Sequence, residues 1–250
     1  MNQPQYQATR QRLGELDCVV VRPIDTDVKI QALAIFCHGF GAGGDDLVGL
    51  AGELLQQADC EAGRMLVFPA APLSLEAQGM AGGRAWWLLS IQRLISALDE
   101  GRFEQVREEV PEGIEAAREK LCGTIQLALE QCQLDASRLL LGGFSQGAML
   151  AVETALRGLP QPPRQLCLYS GALICERLWK PQTHKLQNTQ ILQSHGRLDP
   201  ILPLQTGLWL RELLQGDDRQ VDFVEFDGPH TIPYEAIERT AAMLAALADC

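Results

Sequence analysis

The stretch Arg138-Leu139-Leu140-Leu141-Gly142-Gly143-Phe144-Ser145-Gln146-Gly147-Ala148-Met149-Leu150 reads as strand, sharp turn and helix, with a serine at the apex of the turn. Gly143 and Gly147 bracket Ser145 in the G-x-S-x-G spacing of a nucleophile elbow. Small residues there let strand and helix pass closely while the serine backbone is held strained, so that its hydroxyl is pushed into a cleft. Two glycines and a serine make a loose pattern. The context makes it specific: a buried-type strand precedes it, and a helix of alanine, leucine and methionine follows. The amide of Gln146, first in that helix, is placed to face an oxyanion formed beside Ser145, with the helix dipole favouring negative charge at the same point.

Outward from the elbow, apolar β-like runs alternate with helical ones. Strands are expected at Leu16 to Arg22, Ala32 to Cys37, Met65 to Pro69, Gln165 to Tyr169, Gln190 to Ser194 and Val221 to Phe226. Helices are expected from Asp45 or Asp46 to about Ala58, from Ser90 to about Asp99, from Pro111 to Cys132, from the elbow to about Arg157, from Leu204 to Gln215 and from Tyr234 to Ala248. This alternation implies an α/β chain, a mostly parallel twisted sheet with helices on both faces reached by right-handed crossovers. Functional loops of such a sheet gather at the carboxyl ends of its strands. The 250 residues and 46% hydrophobic content suit one domain over 1–250, with a loop and helix insertion at about 70–110 as a candidate lid.

A formal net charge of -11 argues against attraction to nucleic acid or to anionic membrane and fits a small-molecule substrate. The N-terminal residues lack the basic start and apolar stretch of a signal peptide, no apolar run suggests a membrane span, and no lipid-anchor pattern is expected. The eight cysteines form no C-x-x-C pair and no zinc-like cluster with histidine. They read as buried free thiols in a reducing, cytoplasmic setting, with no metal or other cofactor expected.

A serine hydroxyl is a weak nucleophile at neutral pH; it needs an imidazole to take its proton and a carboxylate to fix that imidazole's tautomer. Of the four histidines, His184 lies in a polar, solvated stretch, whereas His38 and His195 each precede a glycine at a strand end and read as braces for the loop. His230, in the loop Asp227-Gly228-Pro229-His230-Thr231-Ile232-Pro233 before the last helix, is the preferred base. Asp199, pinned by Pro200, is the preferred acid, with Asp227 as a rival that a turn role also explains. Ser145, Asp199, His230 is the chain order of an α/β-hydrolase. The turn His38-Gly39-Phe40-Gly41 follows a buried strand without the lysine of a phosphate loop, and the Phe40 amide is the second expected oxyanion donor. Trp86 and Trp87 either line an apolar pocket as substrate-binding residues or pack their loop onto the core.

These motifs together resemble the phospholipase/carboxylesterase family of α/β-hydrolases, which includes acyl-protein thioesterases and small carboxylesterases. The likeness is carried by His38-Gly39-Phe40-Gly41, by Gly142 to Ala148, by His195-Gly196 with Asp199-Pro200-Ile201-Leu202-Pro203, and by Gly228-Pro229-His230. It implies a Ser145, Asp199, His230 triad, oxyanion amides at Phe40 and Gln146, an apolar acyl groove, and a tryptophan-bearing loop beside the site. The activity expected is hydrolysis of short- to medium-chain carboxylic esters through an acyl-enzyme. An acyl-protein thioesterase or lysophospholipase working on long chains is the alternative within the class, and a catalytically silent binding protein the alternative outside it.

Overall fold

The structure, a computed structural model, describes residues 5–56, 63–89, 96–97, 100–216 and 219–248. Its centre is an eight-stranded sheet formed by β1 (Tyr6–Leu13), β2 (Leu16–Pro23), β3 (Ile30–Cys37), β4 (Gly63–Pro69), β7 (Leu139–Phe144), β8 (Gln165–Tyr169), β9 (Gln190–Gly196) and β10 (Val221–Phe226). The order across the sheet is β1-β2-β4-β3-β7-β8-β9-β10. The first two pairings are antiparallel and all others parallel, so the mostly parallel α/β-hydrolase sheet expected from the alternation is present. A separate two-stranded ladder joins β5 (Leu73–Ser74) to β6 (Arg84–Ala85).

Side chains of a strand point alternately to the two faces, and here both faces are covered. Leu33, Ile35 and Cys37 of β3 join Met65, Val67, Leu139 and Leu141 in one apolar core. Ala32, Ala34 and Phe36 join Leu66, Phe68 and Leu140 in the other. The first core is closed by α3 (Ile114–Cys132), through Ile114, Ala117, Leu121 and Ile125, and by α4 (Gln146–Glu153) and α6 (Leu204–Leu214). The second is closed by α1 (Leu50–Gln56) and α7 (Tyr234–Leu247). Two short helices, α2 (Phe103–Glu108) and α5 (Glu176–Trp179), are joined by the Arg107–Glu176 ion pair and add Val106 and Trp179 to the first core.

Strands buried on both faces begin and end close to where their apolar runs do; β8 and β10 match the expected ranges residue for residue. Three differences have local causes. Strand β1, unpredicted, lies at the sheet edge with most of its side chains in water, so it has no continuous apolar run to betray it. The helix expected from Pro111 starts at Ile114, because Gly113 takes a left-handed φ of 93° that a helix cannot propagate through. The helix expected from Asp45 or Asp46 starts at Leu50, after successive tight turns that include Asp46 N–H to Gly43 O and Val48 N–H to Asp45 O. The helix expected over Ser90 to Asp99 falls largely outside the described residues.

Cys18, Cys37, Cys122, Cys132, Cys167 and Cys175 are free thiols. Burial pushes the thiols of Cys18, Cys167 and Cys175 up to about 12 and those of Cys122 and Cys132 up to about 11, so they stay protonated and pack as small apolar groups. Among the described residues no helix is long and apolar enough to cross a membrane, and no group of three or more His, Cys, Asp or Glu side chains is placed to hold a metal ion.

Candidate active site

The elbow forms where β7 turns into α4. A Cβ on Gly147 would lie 2.0 Å from the carbonyl oxygen of Cys37, and one on Gly143 would lie 2.4 Å from that of Gly147, so neither position admits a side chain. That close crossing forces Ser145 to φ 55° and ψ -116°, a conformation that costs a non-glycine residue about 1–3 kcal/mol. Its amide bonds Tyr169 O at 2.8 Å on the neighbouring strand, and its carbonyl accepts from Ala148 and Met149, which fixes the turn from both sides.

Ser145 and His230 line the same cavity, of about 100 Å³, together with Gly39, Phe40, Phe144, Met149, Ile201, Leu202 and Leu89. The imidazole of His230 lies against Phe144, the residue before the serine, with ring centroids 4.7 Å apart. Its Nδ1–H donates to Asp199 Oδ2 at 2.6 Å, leaving Nε2 as the nitrogen available to the serine side of the ring. Asp199 Oδ1 in turn accepts the amides of Ile201 at 2.9 Å and Leu202 at 2.8 Å. Burial alone would raise the Asp199 carboxyl; the His230 hydrogen bond and the two amides outweigh it and hold the group below its ordinary range, so it is ionised. A buried carboxylate on one nitrogen of an imidazole that shares a cavity with a half-buried serine is an arrangement able to take the proton of a serine attacking a carbonyl carbon.

The other histidines are braces. His38 Nε2 accepts the Ala71 amide at 3.0 Å, so its proton is on Nδ1, which donates to Gly39 O at 2.8 Å. His195 donates Nε2–H to Leu202 O at 2.7 Å, holding the loop that carries the Asp199 amide donors. Burial lowers both of these imidazoles, which keeps them neutral. His184 is exposed. Asp227, the rival acid, points into solvent and pairs with Arg197 at 2.7 Å.

Trp86 and Trp87 require a correction. Neither lines the cavity; both are fully buried, and Leu89 reaches it instead. A buried indole N–H seeks an acceptor, and that of Trp86 finds His38 O at 2.9 Å, which holds the ring against the glycine turn and out of the cavity. The Gln146 side chain, unremarked in the sequence, spans this segment: Oε1 accepts the Trp86 amide at 3.0 Å and Nε2 donates to Trp87 O at 2.9 Å. Its signal is only that a glutamine, with an amide at each end to satisfy, opens an otherwise apolar helix.

A mostly parallel sheet with a serine at the turn from strand to helix is the architecture of the α/β-hydrolase class. The family model described as phospholipase/carboxylesterase matches residues 18–248, and the chain belongs to that family. Among relatives, an acyl-protein thioesterase 1 from Mycosarcoma maydis is 27% identical over 243 residues, covering 93% of this chain and 97% of its own. One from Eremothecium gossypii is 32% identical over 174 residues, 68% of this chain and 66% of its own. A carboxylesterase structure from Mesorhizobium loti superposes with a TM-score of 0.72 at 16% identity, over 95% of this chain and 98% of that one, a likeness of fold.

Proposed function

We propose that this chain is a serine carboxylesterase for short- to medium-chain esters. Ser145 Oγ attacks the ester carbonyl and passes its proton to His230 Nε2, while Asp199 holds the imidazole's tautomer and balances its charge. The Phe40 and Gln146 amides receive the oxyanion, each contributing about 3 kcal/mol at the transition state. His230 then returns the proton to the departing alkoxide, and the acyl group stays on Ser145. A water deprotonated by His230 attacks this acyl-enzyme and releases the acid.

The observation that carries the reading is the 2.6 Å Asp199–His230 hydrogen bond opening onto the cavity that holds Ser145. The preference for shorter chains rests on that cavity's small size, about 100 Å³, between Leu89, Met149, Ile201 and Leu202. The relatives' names, acyl-protein thioesterase, favour a second reading, hydrolysis of acyl thioesters, for which we take long acyl chains as the substrate. A p-nitrophenyl ester and acyl thioester series of increasing chain length, run on the wild type and on Ser145→Ala, tests both. Optimum turnover at short esters, abolished in the variant, supports the first; an optimum at long thioesters supports the second; full activity in Ser145→Ala removes both.

A further inference from the structure

Two oxyanion-donating amides work only at a set spacing, and those of Phe40 and Gln146 come from turns after different strands, β3 and β7. Trp86 is hydrogen-bonded to both turns. Its indole Nε1–H donates to His38 O at 2.9 Å, and its backbone N–H donates to Gln146 Oε1 at 3.0 Å. All three residues are buried to within a few per cent, so water does not compete for these bonds.

The neighbouring contacts extend the same tie. Gln146 Nε2 donates to Trp87 O at 2.9 Å, closing a two-point clamp between the elbow residue and the tryptophan segment. On the other side, Gly41 N–H donates to Arg84 O at 2.9 Å and Arg84 N–H to Ala42 O at 3.0 Å, joining the tryptophan segment to the glycine turn by backbone. The His38 ring lies against Trp86, with centroids 5.6 Å apart, and its Nδ1–H holds Gly39 O. A trans peptide points its N–H opposite to its C=O, so fixing Gly39 O also fixes the direction of the Phe40 N–H.

We propose that Trp86 is a positioning residue for the oxyanion hole: its two hydrogen bonds set the distance between the Phe40 and Gln146 amides. This rests on the serine-esterase reading above. Trp86 touches no reacting atom; it acts through His38 O and the Gln146 side chain. Trp87 provides a matched contrast, since it is adjacent and equally buried while its indole Nε1 has no hydrogen-bond partner among the described residues.

The test compares wild type, Trp86→Phe and Trp87→Phe for kcat and KM on a short p-nitrophenyl ester, and for affinity toward a trifluoromethyl ketone, whose adduct with serine carries an oxyanion. Trp86→Phe is expected to lower kcat about ten- to hundredfold, the scale of a misplaced catalytic group, with KM nearly unchanged and ketone affinity falling in parallel. Trp87→Phe loses the same ring volume and is expected to keep kcat within about threefold, by the same scale of argument. Replacing Trp86 by benzothienylalanine, which retains the bicyclic volume and lacks the N–H, reads the hydrogen bond directly if Trp86→Phe fails to fold. Unchanged kcat and ketone affinity in the Trp86 variants, or equal losses in both phenylalanine variants, overturn the positioning role while leaving the esterase reading intact. A wild type inert to ester and ketone alike overturns both.

Discussion

His230 and Asp199, thirty-one residues apart in the chain, meet with Nδ1 and Oδ2 2.6 Å apart at the end of the sheet. The carboxylate is held from behind by the Ile201 and Leu202 amides, so its direction does not depend on the imidazole. Asp199→Asn keeps the shape and offers His230 the wrong hydrogen-bond partner; kcat is expected to fall by about three to four orders of magnitude with KM little changed. The folded carboxyl lies below its ordinary value of 3.8, so the stability it contributes is present above that pH and is lost as pH falls through the folded value. Urea denaturation of wild type and variant should therefore differ fully at neutral pH, with the gap closing as pH falls into strong acid.

The elbow's glycines have no room to change. In Gly147→Ala the added methyl would sit 2.0 Å from Cys37 O, and that atom is strand backbone, which cannot step aside as a side chain would. The α4 helix must lift from β3, at a cost of about 1–3 kcal/mol or more, and Ser145 moves with it. Thermal unfolding should show a clearly lowered Tm, and fluorophosphonate labelling of the folded fraction should slow. A variant with wild-type Tm and labelling rate would contradict the packing described.

Met149, almost wholly buried, lines the cavity from α4 and bounds the space left for an acyl chain. Met149→Ala enlarges that space at a cost in stability of about 2–5 kcal/mol. Relative kcat/KM for a longer over a shorter ester should rise about tenfold, each accommodated methylene contributing about 0.8 kcal/mol. A chain-length series on the variant reads this, and an unaltered preference would mean that the acyl group does not run past Met149.

At the far end of the same helix, the fully buried Glu153 accepts Arg118 Nη1 and Arg157 Nη1, each at 2.7 Å, and the Trp179 indole N–H at 2.7 Å. It ties α3, α4 and α5 together below the elbow. Glu153→Gln leaves Arg118, itself nearly buried, with only the exposed Glu115 carboxylate as an ionised partner. Breaking a buried pair in this way costs about 3–5 kcal/mol. Denaturant midpoints should register that loss, while kcat of the folded variant changes far less, because Glu153 acts on the scaffold and not on the cavity.

Much of this is legible in the amino-acid sequence. The apolar runs at Gln165 to Tyr169 and Val221 to Phe226 gave their strands to the residue, because periodicity and burial coincide there. Strand β1 was not readable: an edge strand is fixed by the partner it pairs with, here through the tight turn at Gly14 from Leu13 to Leu16, and its own side chains remain polar. Candidate residues Ser145, Asp199 and His230 all stood at strand ends, where a parallel sheet collects its working loops.

What the chain alone determined was therefore local: the elbow, the alternation that makes the sheet, and a short roster of serine, acids and histidines. Tertiary structure decided which of two aspartates meets the imidazole, and of the two roles open to Trp86 and Trp87 it took packing, with both rings buried. Residue pattern reports how each segment repeats along its own axis. The direction of a buried N–H depends on which distant carbonyl remains unsatisfied once the segments pack, and that partner is known only when the fold is complete.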